Sequence, residues 1–250
     1  CLEHSLEIIP GKATKQSGHA AHHSLNIATI CALNRQIDIL ITMPLCKSTV
    51  KQPFIGHTEY LRDKCDIEQS LMFLVTDKLK LATLTNHIPI QAISSQITLK
   101  NIYDKLEILS HSLINDFAIS NPKIAVLGLN PHNGDNGLIG KEDIDVIKPA
   151  IIKKQKEGLS VFGPFSADAF FSQKKYKGFH AVLSMYHDQG LIPFKMLSSY
   201  DGGVNYTAGL PIIRVSPDHG PAYDIVGKEM ARCESFLKSI KLGIEIYNNR

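Results

Sequence analysis

Of the 250 residues none is tryptophan, no two of the five cysteines form a C-x-x-C pair, and apolar runs stay short. Each absence excludes something. Without a stretch of about 20 apolar residues no helix is expected to cross a bilayer. The opening CLEHSLEIIPGK lacks the charged-then-apolar layout of a secretory leader, so a soluble cytoplasmic chain is expected. Cys1, Cys31, Cys46, Cys65 and Cys233 are odd in number and widely spaced, which argues against a disulfide framework or a thiolate zinc cluster and predicts mostly buried, unpaired thiols. Charge of one sign is scarce too: 27 Lys and Arg stand against 24 Asp and Glu, a net +3, and the basic residues are scattered. Nucleic acid is therefore not expected as a partner. Neither G-x-G-x-x-G after a strand nor G-x-x-x-x-G-K-[ST] occurs, so a Rossmann fingerprint and a P-loop are both missing.

What is present is a core-forming chain, 44% hydrophobic, enough for one large or two modest globular domains. Ala21, Leu25, Ala28 and Leu33 recur near helical spacing behind the polar TKQSG, which predicts a helix over 18–35. Short apolar runs at 37–44, 71–76, 79–85, 123–131, 159–164, 180–186 and 211–216 read as strands covered on both faces. Helical patterns fall at 99–117, 141–158 and 231–247. This alternation predicts an α/β protein with a largely parallel sheet. There is no repeat, low-complexity tract or linker, so any second domain would be built from interleaved segments.

In such a sheet, chemistry collects at the carboxyl ends of strands. His87 follows LATLTN, His132 follows AVLGLNP and His187 follows AVLSMY, each the first metal-capable side chain after its strand. Three neutral imidazoles converging on one point would make an open, nitrogen-rich site for a catalytic divalent metal. One histidine at a strand end is more often solvated or hydrogen-bonded, the reading given to His111 and His180. Asp188 either accepts a ring N–H from His187 or merely forms a turn. NPHNGDNGLIGKED at 130–143 places three glycines ahead of a helix, a layout that allows backbone to approach a ligand. Lys195 and Arg214 suit an anion. Arg214 lies in a strand too apolar for an idle charge, so it meets either an acidic partner such as Asp218 or Asp224, or a ligand phosphate or carboxylate.

GHTEYL (56–61), GLNPHNGDNG (128–137), GPFSAD (163–168), MYHDQGLIPFK (185–195) and GVNYTAGLPIIRVSPDHG (203–220) together resemble the 4-hydroxythreonine-4-phosphate dehydrogenase family, from about Pro10 to the C-terminus. The resemblance implies an isocitrate-dehydrogenase-like α/β fold, with residues 1–250 forming two interleaved α/β subdomains and a cleft between them. It also implies a homodimer with its active site at the subunit interface, NAD or NADP as oxidant, and a divalent metal (zinc, magnesium or cobalt). Carried over by position, His87, His132 and His187 are metal ligands. His57, Thr58, Lys195, Asn205 and Arg214 bind substrate. Lys195 and Asp168 are the catalytic candidates, and Lys47 in MPLCKS matches a family lysine or is a surface cation. The implied reaction is oxidation and decarboxylation of 4-phosphooxy-L-threonine to 3-amino-2-oxopropyl phosphate in pyridoxine 5'-phosphate biosynthesis. Rivals are a sister dehydrogenase of a four-carbon sugar-acid phosphate and a non-catalytic module with a closed structural zinc. Family members begin with further strands and a GEPAGIG-type loop that the sequence before Cys1 lacks, so an N-terminal part is expected to be missing and activity of these 250 residues alone is left open.

Overall fold

Eight strands form one mixed sheet in the order β1-β8-β7-β2-β3-β6-β4-β5 in the computed structural model, which describes residues 9–50, 54–199 and 201–250. The strands are β1 (Ile39–Ile41), β2 (Leu71–Val75), β3 (Lys80–Thr83), β4 (Ile124–Leu127), β5 (Val161–Phe165), β6 (Ala181–Ser184), β7 (Val204–Ala208) and β8 (Ile213–Pro217). Pairing is parallel at β1/β8, β3/β6, β6/β4 and β4/β5, but antiparallel at β8/β7, β7/β2 and β2/β3. The expectation of a largely parallel sheet therefore fails in the middle. The cause is local: Thr76 caps a tight turn by accepting the Leu79 N–H on its hydroxyl and donating its own N–H to the Leu79 carbonyl. A connection that short joins only antiparallel strands, because a parallel return needs a crossover of a dozen residues or more.

The helices are α1 (Lys15–Leu33), α2 (His57–Lys64), α3 (Ile93–Gln96), α4 (Leu99–Asn115), α5 (Lys148–Lys156), α6 (Ala167–Ser172), α7 (His187–Ser198) and α8 (Glu234–Asn249). Thr14 and Ser17 start α1 with a reciprocal capping box, each side-chain oxygen accepting the other's backbone N–H at 3.1 Å. One face of the sheet is sealed by α4, α5 and α8: Phe73, Tyr206 and Val215 pack with Leu106, Leu109, Ile151 and Ile246 in the largest apolar cluster. The other face is covered only at its two ends. There α1 and α2 bring Leu25 and Leu61 onto Leu40, and α6 and α7 bring Phe170 and Phe194 onto Leu74 and Leu81. Between these caps the middle of the sheet stays open, and that gap is the cleft. No helix among the described residues is long and apolar enough to cross a membrane.

Behind the cleft, the wall is pinned by a buried polar knot. Asp116 accepts from Tyr206 and from Ser112, both at 2.6 Å, and from Arg250 Nε at 2.8 Å. Burial, and then the Asp116 charge, hold the Tyr206 phenol far above its usual pKa, so it serves as a donor only. Asp116→Ala strands a buried phenol and an arginine, and is expected to cost about 3 kcal/mol in urea unfolding. Tyr206→Phe removes one hydrogen bond and is expected to cost about 1 kcal/mol.

The described cysteines, Cys31, Cys46, Cys65 and Cys233, are unpaired, as expected, but half-buried or exposed rather than buried. Cys1 lies outside the described residues.

Candidate active site

The cleft is lined on its floor by alternate residues of three strands. Leu74 opposes Asn205, Asn205 opposes Ser216, and Arg214 pairs in register with Leu40, so the period of two directs all of them to one face. Because β1 and β8 run opposite to β3 and β6, segments from both edges of the sheet fold over it. Thr42 to Pro44, Lys47 and Asp218 arrive from one side, and His87 and His187 from the other, around a cavity of about 220 Å³.

The stretch SMYHDQGLIPFK shows how one such segment is built. Tyr186 is extended, and α7 begins at His187. Gln189 accepts the Met185 N–H and donates to the Gly128 carbonyl, both at 2.7 Å, tying the helix start to two strand ends. A Cβ at Gly190 would meet Leu81 Cδ2 and Ser184 Oγ at 2.6 Å, so only glycine lets the first turn lie this close to the sheet. Asp188 accepts from Nδ1 of His187 at 2.6 Å, which resolves the open choice between acceptor and turn-former. The helix itself went unread in the sequence because Gly190 and Pro193 interrupt its pattern.

His87 and His187 lie side by side, ring centroids 6.0 Å apart. His87 donates from Nδ1 to Glu59 at 3.0 Å, so both imidazoles have one nitrogen held by a carboxylate and leave Nε2 for the cleft. That is the arrangement by which a metal-binding histidine is oriented, and on this ground the pair suits a divalent cation. His132 is not with them: it is exposed and does not line the cavity, and no group of three or more His, Cys, Asp or Glu among the described residues is placed to hold a metal. Asp168 is also exposed and outside the cleft; its pKa is lowered first by the Ser166 hydroxyl, at 2.5 Å, and the Ala169 N–H, with a smaller contribution from His132. The predicted site residues therefore divide into a cleft set and a His132–Asp168 pair.

The loop carrying His132 explains the separation. Residues 132–136 all have positive φ, between 42° and 78°, a left-handed coil containing four non-glycine residues. Such backbone costs about 1–2 kcal/mol per residue unless the surroundings enforce it. Buried Asp143 supplies that enforcement, accepting the backbone N–H of Leu129 and Asn130 and the Asn130 amide. Asn133 adds a bond to the Pro164 carbonyl at 2.9 Å.

Arg214 is 2% exposed, and neither Asp218 nor Asp224 meets it. Its guanidinium donates only to the hydroxyls of Thr42 (3.0 and 2.6 Å) and Thr207 (3.0 Å). Burial lowers its pKa to about 10, opposed by the charge of Glu59. Asp218 instead pairs with Lys195, which donates to its carboxylate at 3.0 Å and its carbonyl at 2.7 Å. Thr58 is buried beside the cleft, and the Asn205 side-chain oxygen is buried without a partner. Lys47 lines the cavity, so it is more than a surface cation. His180 accepts the Lys123 N–H at 2.8 Å and His111 is exposed; both have the structural roles expected of them.

His57 has its pKa lowered from 6.5 to about 3, first by burial and then by the charges of Arg214 and Lys47. The unfolded chain takes up a proton there near pH 6.5 and the folded chain only near 3, so acid removes stability across that interval. A His57→Asn chain is expected to lose less stability than its parent between about pH 7 and about pH 4, by on the order of 3 kcal/mol, in urea midpoints.

A mixed eight-stranded sheet with a cleft on one face defines an α/β protein, and the fold matches that of an isocitrate dehydrogenase from Methylococcus capsulatus with a TM-score of 0.51 at 13% identity, over 92% of this chain and 81% of that one. Residues 1–243 match the family described as pyridoxal phosphate biosynthetic protein PdxA, and the chain belongs to that family. It is 41% identical to a 4-hydroxythreonine-4-phosphate dehydrogenase of Bacteroides thetaiotaomicron over 254 residues, covering all of this chain and 70% of the relative. A crystal structure of 4-hydroxythreonine-4-phosphate dehydrogenase from Klebsiella pneumoniae superposes with a TM-score of 0.82 at 37% identity, over 96% of this chain and 73% of the other. Family membership makes the chain an oxidoreductase and implies a nicotinamide cofactor and a divalent metal.

Proposed function

We propose that the chain oxidises and decarboxylates 4-phosphooxy-L-threonine to 3-amino-2-oxopropyl phosphate, with NAD or NADP as hydride acceptor, in the cytoplasm. The observation that carries this reading is Arg214: a fully buried guanidinium, bonded only to two threonine hydroxyls and facing a cleft, has charge left for an anion. His57, Thr58 and Lys195 surround the same space, and the Asn205 oxygen can accept from a ligand N–H or O–H.

The reaction needs the substrate held by its phosphate and carboxylate while hydride leaves the carbon of the secondary alcohol for the nicotinamide and the hydroxyl proton leaves for a base. The β-keto acid so formed loses carbon dioxide, its bonding electrons moving to the ketone oxygen before a proton is returned to carbon. His87 and His187 would hold a divalent metal (zinc, magnesium or cobalt), which when bound would supply positive charge to offset the negative charge developing on oxygen. Arg214 and His57 fix the anionic groups, converting binding into orientation. Lys195, which lines the cleft and is held by Asp218, is the group assigned to proton transfer. The dinucleotide is assigned to an adjoining cavity of about 380 Å³, which shares Lys195, Asp218 and His219 with the first and adds Arg232.

A homodimer completes this site in our reading, with His132 and Asp168 facing the cleft of a second copy. Two facts support it. These residues both lie exposed outside their own cleft, and large apolar side chains are bared near both sets, Ile90 beside the paired histidines and Leu138 on the His132 loop, each 82% exposed.

The test is NADH formation with 4-phosphooxy-L-threonine and with a four-carbon sugar-acid phosphate, with and without chelator. The expected result is chelator-sensitive turnover with kcat/KM at least about tenfold higher for the amino acid. The reverse order would make the chain the sister dehydrogenase, and no turnover with either would leave only a metal-binding module.

A further inference from the structure

Glu59 was passed over in the sequence, where it follows His57 and Thr58 in GHTEYL, yet its surroundings single it out. It stands in the first turn of α2 and receives the Nδ1–H of His87 on Oε1 at 3.0 Å. Its other oxygen, Oε2, is buried and without a hydrogen-bond partner. Burial alone would favour the neutral acid, but the bond from His87 and the charge of Lys47 outweigh it and hold the pKa of Glu59 below its ordinary value. The same carboxylate is the acidic group that acts on Arg214 and on His57.

Close approach is built in. A Cβ at Gly56 would lie 2.7 Å from Glu59 Oε2, 3.3 Å from Lys47 Nζ and 3.5 Å from His87 Cε1, so glycine makes room for the three groups to meet. Filling space does not call for a charge here: an apolar side chain of this size would avoid the cost of an unsatisfied buried oxygen. A partly buried carboxylate against an imidazole does something packing does not, which is to select the tautomer of the ring and its direction.

We infer that Glu59 is a positioning residue: it holds His87 as the Nδ1–H tautomer with Nε2 turned into the cleft beside His187, and so sets the affinity for the divalent cation. One short helix then carries both the anion-binding pair, His57 and Thr58, and the group that aims a metal ligand. The inference rests on the metal reading of His87 and His187 proposed above.

The experiment uses the full chain and Co²⁺ as probe, with affinity measured by chelator competition for the parent, Glu59→Ala, Glu59→Gln and His87→Ala. Glu59→Ala is expected to weaken Co²⁺ binding by about 10- to 100-fold. Glu59→Gln, whose amide oxygen still accepts, is expected to recover most of the loss. Saturating Co²⁺ should restore kcat in Glu59→Ala, which a defect of folding would not allow. Parent-like affinity in Glu59→Ala while His87→Ala loses it would overturn the inference and leave the metal reading standing. Parent-like affinity in His87→Ala would overturn both. Independently of any variant, the ¹⁵N spectrum of the metal-free parent in alkaline solution is expected to show His87 protonated at Nδ1. Protonation at Nε2 would overturn the inference.

Discussion

Alanine in place of His187 is expected to abolish metal-dependent turnover, lowering kcat/KM by about 10³ or more, the scale set by losing several kcal/mol of charge stabilisation at the reacting oxygen. The side chain is one of the two carboxylate-held imidazoles that lie side by side in the cleft, and Asp188 has already oriented it. Little else depends on it. It is about one-third exposed, and the start of α7 is anchored by Gln189 and Gly190, so stability should change by no more than about 0.5 kcal/mol. Steady-state NADH formation, metal content and thermal unfolding of the one variant decide the matter. Normal kinetics would remove His187 from the chemistry.

Arg214→Met should separate function from stability in the opposite sense. Function requires the guanidinium fork: three bonds to Thr42 and Thr207 aim it, and the expected loss on replacement is about 10³ in kcat/KM, mostly through KM for the phosphorylated substrate. Arg214→Lys should recover less than about a tenth of this, since an ammonium cannot reproduce the fork. Stability should hold or rise. A buried charge without a carboxylate partner costs the folded state, and an apolar side chain of similar volume removes that cost, by about 1–4 kcal/mol in comparable cases. A variant that is both destabilised and fully active would show that Arg214 is a structural residue.

Seven of the eight strands were legible because each is a short apolar run, and α4 because Ile102, Leu106, Leu109 and Leu113 repeat at helical spacing. Among the elements that were not, three line the cleft. In α2 the residues HTEYLRDK are nearly all polar, since the helix buries only Thr58 and Leu61 and turns the rest to the cleft and solvent. The second, α7, hides behind a glycine needed for close packing and an internal proline. β7 is half polar because Asn205 and Thr207 face the cleft and the arginine. In these three, function has displaced the regular pattern.

By itself the sequence determined the types of chemical group at hand and the strands that deliver them: imidazoles behind β3, β4 and β6, and an arginine inside β8. Local pattern suffices for that, because residue type and backbone period are properties of neighbouring residues. Which imidazoles meet was decided only in three dimensions. An antiparallel hairpin at Thr76–Leu79 reverses half the sheet and opens the cleft across its face, and a left-handed coil held by Asp143 keeps His132 away from His87 and His187. Both depend on contacts between distant residues, and so did the role of Glu59, whose partner is 28 positions away in the chain.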